Sequence, residues 1–464
     1  MTTPVAGAGR AALGARLQEL ITAHGVVGAS AGIWRDGQLS TWSAGLASRQ
    51  TGDPVTPSTL FHAASITKVL TAALTLQLVG EGLISLDQPV SSLLPELAFL
   101  DAAGPVTIRN LLTHTSGIDA DFHLDTGRGD DALSRFASQA GGIGRPYSPG
   151  CVFSYGNAGY GWLGRVAEVV ASDVWDRQLR RRILSPLGMT RTTTTPEQAL
   201  RWPFAVGHVR TPGGRVLSAT TWPFFRSVGP AGILCTTAGD MLRFASAFAV
   251  PPAAGRRDPI MPASLMADMQ AVTVRDVHSA PEDHWGLGWG LYRCGSARVL
   301  AHDGGTKGYE SFLRVFPGAG TAVVLLTNGG GDAGAVFHEM FGPLLQQTCD
   351  GRLPLPAAPG EPEPGRPLLA LALSDLAGIY DCGTWRLHVT GDPAAVPGAV
   401  LRLKGLAADE MGTRTLSLDV RPAGDGRFEV GSGGDRWPLH LVQLPDGTRL
   451  AHMWRRAARK VGNR

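Results

Sequence analysis

A serine and a lysine three residues apart, Ser65 and Lys68, form the pair in this 464-residue sequence that is best suited to chemistry. They stand at the start of an apolar stretch, residues 65–80, which ends at Gly80 and Gly82. The spacing predicts a helix on which both side chains share one face. A serine hydroxyl is a weak nucleophile until a base removes its proton. Lysine can be that base when apolar surroundings disfavour its charged form. We therefore predict Ser65 as nucleophile and Lys68 as base.

A tyrosine and an asparagine, Tyr155 and Asn157, lie just before a predicted helix over residues 158–171. Because they are two residues apart, both can point into one cleft from an extended loop. A tyrosine beside a lysine can share its proton and serve as general acid or base. Asn157 offers an acceptor for Lys68 and a donor for a substrate carbonyl. We predict that both residues are catalytic.

A histidine, an aspartate and two glycines follow one another at residues 302–305, where a strand-like stretch begins. Glycines permit the close approach of a substrate backbone. A backbone N–H group in this segment can join that of Ser65 in an oxyanion hole. For Asp303 two interpretations stay open: it attracts the ammonium group of an acceptor amine, or it is a turn residue that bonds only to local backbone.

Two other features indicate structure rather than chemistry. Ser30 lies in a G-x-S-x-G pattern at residues 28–32. A nucleophile elbow needs a helix after its serine, but here the following residues continue a strand into a turn. His114, within Leu111–Gly117, follows a helical region. We interpret it as a residue that orients the loops of the site.

The order of the elements predicts an α/β domain over residues 11–349, after a flexible stretch at residues 1–10. Its outer elements are a helix at 11–24, a hairpin of strands at 26–35 and 39–47, three strands within 286–328 and a closing helix at 332–347. The intervening residues are mostly helical. Because strands stand near both ends of the domain, we expect an antiparallel sheet that both chain ends complete, with helices packed on it.

The last part of the chain predicts a second, smaller domain. Residues 350–367 are rich in proline and polar residues, which is typical of a linker. Residues 368–464 contain short alternating strands separated by glycine and aspartate turns. That pattern predicts an all-β domain, a small barrel.

Composition excludes several classes of function. With 44% hydrophobic and 17% charged residues the chain is a globular protein. Its net charge of +3 is too small to argue for binding to nucleic acid or a membrane, so we predict neither partner. Five scattered cysteines suggest neither a zinc site nor a disulfide framework, and we predict no metal and no cofactor. The N-terminus lacks a signal-peptide pattern, from which we expect a cytoplasmic protein.

Four segments carry a family resemblance: residues 65–68, 111–117, 155–157 and 302–305. In order and spacing they resemble the motifs of the serine β-lactamase and penicillin-binding-protein superfamily, especially its class C, esterase and D-aminopeptidase branches. The resemblance covers roughly residues 11–347 and implies a β-lactamase-like fold, in which helices flank an antiparallel sheet and form a helical subdomain. It implies the roles given above for Ser65, Lys68, Tyr155 and Asn157.

The third motif has further implications within this resemblance. His302 and Gly304 would be its functional residues, and the backbone N–H groups of Ser65 and Gly305 would form the oxyanion hole. Penicillin-binding proteins and class C β-lactamases usually carry K-T-G here, whereas this chain has His302-Asp303-Gly304. Histidine in that place is common in esterases, D-aminopeptidases and penicillin-binding-protein-type thioesterases. The last group offloads and cyclises nonribosomal peptides and carries a C-terminal lipocalin-like domain, which our predicted barrel resembles.

Three hypotheses for function follow. The chain is an acyl-transfer cyclase that acts on a peptidyl (thio)ester, with a peptidyl carrier protein as a possible partner. Alternatively it is a cytoplasmic serine hydrolase, namely an esterase, amidase or D-aminopeptidase that acts on a small molecule. The third hypothesis is a non-catalytic homologue that keeps the fold, and β-lactamase activity ranks below the first two. The complete set of motifs favours an enzyme.

Overall fold

A computed structural model gives the structure of most of the chain, and the structural statements below concern only the residues that it describes. These are residues 7–102, 104–119, 122–211, 213–219, 221–249, 260–275, 284–348, 377–382, 385–390, 398–403, 414–424, 427–432, 435–444, 447–453 and 455–462. The predicted linker at 350–367 and most of the N-terminal stretch at 1–10 lie outside them.

An antiparallel sheet forms the centre of the first domain. The strands of this domain are β1 (Gly28–Arg35), β2 (Gln38–Gly45), β3 (Phe61–His62), β4 (His208–Arg210), β5 (Val216–Ser218), β6 (Cys235–Thr236), β7 (Val274–Arg275), β8 (His284–Trp285), β9 (Gly290–Cys294), β10 (Ala297–Thr306), β11 (Tyr309–Phe316) and β12 (Thr321–Thr327). Eight of them form the sheet, in the order β2-β1-β12-β11-β10-β9-β8-β7. Two short ladders, β3 with β6 and β4 with β5, lie outside this sheet. The N-terminal hairpin pairs with β12 near the end of the domain, which confirms the predicted sheet.

Helices cover both faces of the sheet. Those of the described residues are α1 (Gly7–Ala23), α2 (Thr67–Gly80), α3 (Ile108–Leu112), α4 (Ala132–Ser138), α5 (Ala158–Ala171), α6 (Trp175–Leu179), α7 (Pro196–Ala199), α8 (Gly229–Gly232), α9 (Ala238–Ala249), α10 (Ala263–Gln270) and α11 (Ala333–Thr348). Alternate residues of β12 face opposite sides: Val323 and Leu325 pack with α1 and α11, whereas Val324 and Leu326 pack with α9 and the helical region. The result is a three-layer domain.

Helix α2 runs through the middle of the helical region and is buried on nearly all sides. It ends at Gly80, as predicted, but it begins at Thr67 rather than at Ser65. Residues Ala64–Ile66 form a 3-10 turn instead, and Ala64 has a positive φ of 46°. The Thr67 hydroxyl donates to the Ala64 carbonyl at 2.6 Å and accepts from the backbone N–H of Leu234. Ser65 therefore sits on a tight turn before the helix.

A closed barrel of eight antiparallel strands forms the C-terminal domain, which confirms the predicted small all-β barrel. Its strands are β13 (Gly378–Asp381), β14 (Trp385–Thr390), β15 (Gly398–Leu403), β16 (Arg414–Gly424), β17 (Arg427–Ser432), β18 (Asp435–Gln443), β19 (Arg449–Met453) and β20 (Arg456–Gly462). Tyr380, Trp385 and Phe428 are among the large side chains that fill its interior. Pairing of β13 with β20 closes the barrel and leaves no sheet edge.

The cysteines depart from the expectation that no disulfide is formed. Cys294, at the end of β9, is disulfide-bonded, and its partner lies outside the described residues. Cys151, Cys235 and Cys382 are free thiols, of which Cys151 is exposed and Cys235 buried. Scattered spacing hides such a bond because cysteines distant in sequence can be neighbours in the fold. Disulfides are rare in cytosolic proteins, so this bond does not favour the expected cytoplasmic location.

None of the helices in the described residues combines the length and the apolar character that crossing a membrane requires.

We expect alkylation to separate the cysteines into classes. In the native protein without reductant, iodoacetamide should label Cys151 first, because thiol reactivity requires access. Cys235 should react only after unfolding, and Cys294 only after unfolding and reduction, as read by peptide mass spectrometry. Labelling of Cys294 in unfolded protein that was never reduced would contradict the disulfide.

Candidate active site

Ser65 and Lys68 meet at the start of α2. Ser65 is half-buried on the 3-10 turn, whereas Lys68 is fully buried. The Lys68 Nζ lies 3.3 Å from the Ser65 Oγ. The 3-10 turn carries the Ser65 hydroxyl, and the first turn of α2 places the Lys68 amine next to it. The predicted pairing of these two side chains is present in the structure.

Three uncharged groups surround the Lys68 amine. Besides Ser65, it contacts Asn157 Oδ1 at 2.6 Å and the Ala231 carbonyl oxygen at 3.0 Å. Both of these oxygens can only accept hydrogen bonds. When Lys68 is a neutral amine, it has two N–H donors for these oxygens and a lone pair that can turn towards the Ser65 hydroxyl. This arrangement suits Lys68 to remove a proton from Ser65.

The loop before α5 places Tyr155 and Asn157 on the same side of the cleft. The Tyr155 ring lies next to Lys68, with Nζ 4.8 Å from the ring centroid. Asn157 accepts from Lys68 through Oδ1, and its Nδ2 donates to His123 Nε2 at 3.2 Å. Sequence reasoning predicted the first contact of Asn157. It missed His123, since an isolated loop histidine carries no motif.

His302 faces the same cleft from β10 as a neutral imidazole. Its Nδ1 donates to the Asp303 carbonyl at 2.8 Å, which leaves Nε2 as an acceptor without a partner in the described part of the chain. Burial, and next the nearby Lys68 cation, lower the pKa of His302 to about 3. His302 therefore differs in charge from the lysine of a K-T-G motif, and its Nε2 is a buried hydrogen-bond acceptor.

The two glycines of the third motif have different surroundings. A Cβ on Gly304 would lie 2.2 Å from the Ala63 carbonyl oxygen and 2.3 Å from Ser311 Oγ, so this glycine lets β10 pack against the turn that carries Ser65. A Cβ on Gly305 would meet no atom within 4 Å. Strand β9 pairs with β10 only up to Ala301, so this edge of β10 is open at Gly305. The open edge is consistent with an N–H group that points into the cleft.

Asp303 is engaged by an arginine. Both of its carboxylate oxygens accept from Arg314 on β11, one of them at 3.1 Å. Burial by itself would raise the pKa of the Asp303 carboxyl, but the Arg314 guanidinium outweighs it and holds the pKa below its ordinary value. A carboxylate already paired in this way is a poor attractor for a substrate ammonium group. It is also not a turn residue, because it lies within β10.

His114 holds the tyrosine loop in place. Its ring packs against Tyr155, with centroids 4.3 Å apart, and its Nδ1 accepts from the Gly156 N–H at 3.2 Å. Its carbonyl accepts from the Ser154 N–H at 2.8 Å. Burial, followed by the Lys68 cation, keeps the pKa of His114 well below its ordinary value. These contacts agree with its interpretation as an orienting residue.

The C-terminal barrel also reaches the site, which sequence reasoning did not predict residue by residue. The hairpin between β19 and β20 contacts the loop that carries Tyr155, and the Arg456 guanidinium carbon lies 5.7 Å from the centroid of the Tyr155 ring. The nearest signal in the sequence is a pair of arginines in a strand-like stretch. Nothing in that pattern relates it to Tyr155, about 300 residues earlier.

Comparisons with known proteins agree with this geometry. The family described as Beta-lactamase matches residues 13–340. Penicillin-binding protein 4 of Amycolatopsis lactamdurans is 40% identical over 373 residues, which cover 79% of this chain and 96% of that protein. A crystal structure of SurE covers 99% of this chain and 100% of its own, with a TM-score of 0.79 and 30% identity. A structure of SurE with D-Leu matches over 98% of this chain and 100% of its own, with a TM-score of 0.78 and 28% identity.

Buried neutral histidines should make the fold sensitive to acid. Burial lowers the pKa of His62 to about 3. A histidine with a depressed folded pKa stabilises the protein above its unfolded pKa of about 6.5 and loses that contribution as the pH falls towards the folded value. Each such group adds a slope of about 1.4 kcal/mol per pH unit. We expect His62→Leu to reduce the pH dependence of the unfolding free energy by that amount between about pH 6 and 4.

Urea denaturation at several pH values measures this slope. His388→Gln, which removes a half-buried histidine from the barrel, serves as the control for the loss of an imidazole elsewhere in the chain. Equal slopes for His62→Leu and the unchanged protein would show that His62 is not held neutral by burial.

Proposed function

The chain belongs to the β-lactamase family, and we propose that it is a serine acyl-transfer enzyme whose acyl-enzyme forms on Ser65. More narrowly, we propose a standalone penicillin-binding-protein-type thioesterase that releases a nonribosomal peptide as a head-to-tail macrolactam. The observation that carries the catalytic part is the contact of the Lys68 amine with Ser65 at 3.3 Å, beside its contacts with the Asn157 and Ala231 oxygens.

In the acylation step, Ser65 Oγ attacks the carbonyl carbon of a peptidyl thioester. The Oγ–C bond forms, Lys68 takes the hydroxyl proton, and the carbonyl oxygen becomes an oxyanion. We propose that the backbone N–H groups of Ser65 and Gly305 stabilise this oxyanion. When the tetrahedral intermediate collapses, the C–S bond breaks and the thiolate receives a proton through Lys68 or Tyr155. The products are an acyl ester on Ser65 and a free thiol.

In the second step, the amine at the other end of the peptide attacks the ester. The N–C bond forms, the Ser65 Oγ–C bond breaks, and one proton moves from the amine to Ser65 Oγ. Tyr155 and Lys68 are the groups placed to relay this proton. We propose that the Nε2 of His302, a buried atom with no partner among the described residues, accepts a hydrogen bond from the attacking amine once the peptide is bound. Asp303 is less suited to this role because Arg314 already pairs with its carboxylate.

Competition between amine and water decides whether the product is cyclic or linear. Holding the amine close to the ester raises its effective concentration by orders of magnitude, so the outcome depends on binding the peptide in a folded conformation. Likeness to SurE along the whole chain, barrel included, supports this proposal. Because SurE has been solved with D-Leu, we infer that the acyl end of the peptide is a D-residue.

The charge of His302 decides how we rank β-lactams and peptidyl thioesters as substrates. The neutral His302 does not supply the cation that a K-T-G lysine offers to a substrate carboxylate. We therefore place β-lactams below peptidyl thioesters as substrates. A peptidyl carrier protein as thioester donor and a cytoplasmic location are further parts of the proposal.

Ser65→Ala should abolish turnover and leave the fold unchanged, because it deletes the nucleophile alone. We expect a loss of roughly 10³-fold or more in the release of thiol from a peptidyl thioester.

Lys68→Arg should be as damaging to thiol release as Lys68→Ala, since arginine keeps the charge but does not accept a proton. Mass spectrometry of the unchanged protein should find the acyl adduct on the peptide with Ser65. An adduct on Ser30 or Ser116 instead would refute the assignment.

A linear peptide thioester with a free N-terminus and a C-terminal D-residue tests the choice between cyclase and hydrolase. We expect mostly cyclic product by liquid chromatography and mass spectrometry, because the bound amine outcompetes water. The same peptide with an acetylated N-terminus is the matched control and should yield only linear acid. Release of linear acid alone from every free-amine thioester would identify the protein as a hydrolase.

A further inference from the structure

The C-terminal barrel holds the loop that carries Tyr155 through three hydrogen bonds. The Tyr155 N–H donates to the Arg455 carbonyl at 2.7 Å. The His452 Nε2 donates to the Phe153 carbonyl at 3.0 Å, and the Ala457 N–H donates to Ser154 Oγ at 3.2 Å. Three consecutive residues of the loop are thus bonded to one hairpin of the barrel.

An apolar seam supports these hydrogen bonds. It is made by Tyr147 and Val152 of the first domain with Leu444, Leu450 and Ala457 of the barrel, all of them buried. The Tyr147 hydroxyl also donates to the Ala457 carbonyl. A seam with both apolar contacts and paired polar groups fixes the hairpin relative to the loop.

Arg456 begins β20 and places its guanidinium over the Tyr155 ring, 5.7 Å from the centroid. A cation over an aromatic face is attracted by the electrons of the ring. The attraction grows when the phenol becomes a phenolate, since the pair then carries opposite charges. The contact therefore affects both the orientation of the ring and the proton on its hydroxyl.

We propose that Arg456 is a positioning residue of the active site, supplied by the barrel, that holds the Tyr155 ring and favours its deprotonated form. The inference rests on the proposed function insofar as Tyr155 relays protons during acyl transfer. It gives the barrel a part in catalysis. The first domain carries the nucleophile Ser65, and the barrel favours the deprotonated form of Tyr155.

Other ionisable groups face Tyr155 and set the background for this effect. They are Lys68 on α2, His114 after α3, Tyr160 on α5, His302 on β10 and Arg455, which lies just before β20 and whose charge acts on His114 and His302. His114 and His302 are uncharged at neutral pH, because burial lowers the pKa of each. Lys68 approaches the ring from the first domain, whereas Arg456 approaches it from the barrel. Substitution of Arg456 leaves Lys68 and Arg455 in place and therefore tests the effect of this one guanidinium.

The experiment compares Arg456→Gln and Arg456→Lys in the full-length protein. Tyrosines are replaced by 3-fluorotyrosine, and the ¹⁹F resonance of Tyr155 is assigned by its absence in Tyr155→Phe. We expect Arg456→Gln to raise the titration midpoint of this resonance by about one pH unit, the lower end of the effect of a charge at such a separation. Arg456→Lys should keep most of the unchanged midpoint because it retains the charge.

Hydrolysis of the butanoyl ester that 4-nitrophenyl butanoate forms on Ser65, measured after the initial burst of 4-nitrophenolate, gives the kinetic readout, because Tyr155 relays a proton in that step. For Arg456→Gln, the pH–rate profile should shift upward by the same unit, with a roughly tenfold loss on its acid limb and little loss at high pH. Arg459→Gln, an exposed arginine on the same strand, is the control and should match the unchanged protein. Thermal denaturation checks that each variant is folded.

Two results would overturn the inference. One is an unchanged Tyr155 midpoint in Arg456→Gln. The other is an equal loss of rate at every pH in Arg456→Gln and Arg456→Lys, which would mean that the guanidinium only fills space. Failure of the ester to acylate Ser65 in the unchanged protein would count against the proposed function instead, and the ¹⁹F titration would still decide the role of Arg456.

Discussion

The rest of the site depends on how a fully buried lysine amine is kept bonded. Lys68 contacts a hydroxyl, a side-chain amide oxygen and a backbone carbonyl, from Ser65, Asn157 and Ala231. Moving an ammonium group out of water costs several kcal/mol unless hydrogen bonds replace its hydration, and each such bond returns about 1.5–3 kcal/mol. Of these three groups, the Ser65 hydroxyl is the one with which the amine can exchange a proton.

The surrounding groups preserve this arrangement by remaining uncharged. His114 and His302 are buried close to Lys68, and burial together with the lysine cation lowers the pKa of each. Asp303, one residue from His302, is ionised, but Arg314 neutralises it. A free carboxylate in this place would stabilise the ammonium form of Lys68 and weaken it as a base. The pairing of Asp303 with Arg314 thus protects the chemistry at Ser65.

Both domains are needed to fix the loop that carries Tyr155. His114 bonds it from the first domain at Gly156 and Ser154, and the barrel hairpin bonds it at Phe153, Ser154 and Tyr155. Loops are usually the mobile parts of a fold, yet a proton relay requires constant geometry within fractions of an ångström. Hydrogen bonds from both domains therefore restrict the movement of this loop.

The sequence by itself determined the local pieces of this protein. The i, i+3 spacing placed Ser65 beside Lys68, and the two-residue spacing placed Tyr155 and Asn157 on one side of a loop. Apolar strand-like runs indicated the sheet, and short alternating strands indicated the barrel. These features depend on the backbone geometry of a few neighbouring residues, which the sequence displays directly. Family resemblance then ordered the motifs around one cleft.

Only the tertiary structure decided what depends on distant partners. In the structure α2 begins at Thr67, and Ser65 lies on the tight turn before it. Asp303 pairs with Arg314, and Cys294 forms a disulfide. It also brought Arg456 to Tyr155 across some 300 residues of chain. Charge state, pairing and orientation at these positions follow from burial and from neighbours that are remote in sequence, and no short pattern encodes such neighbours.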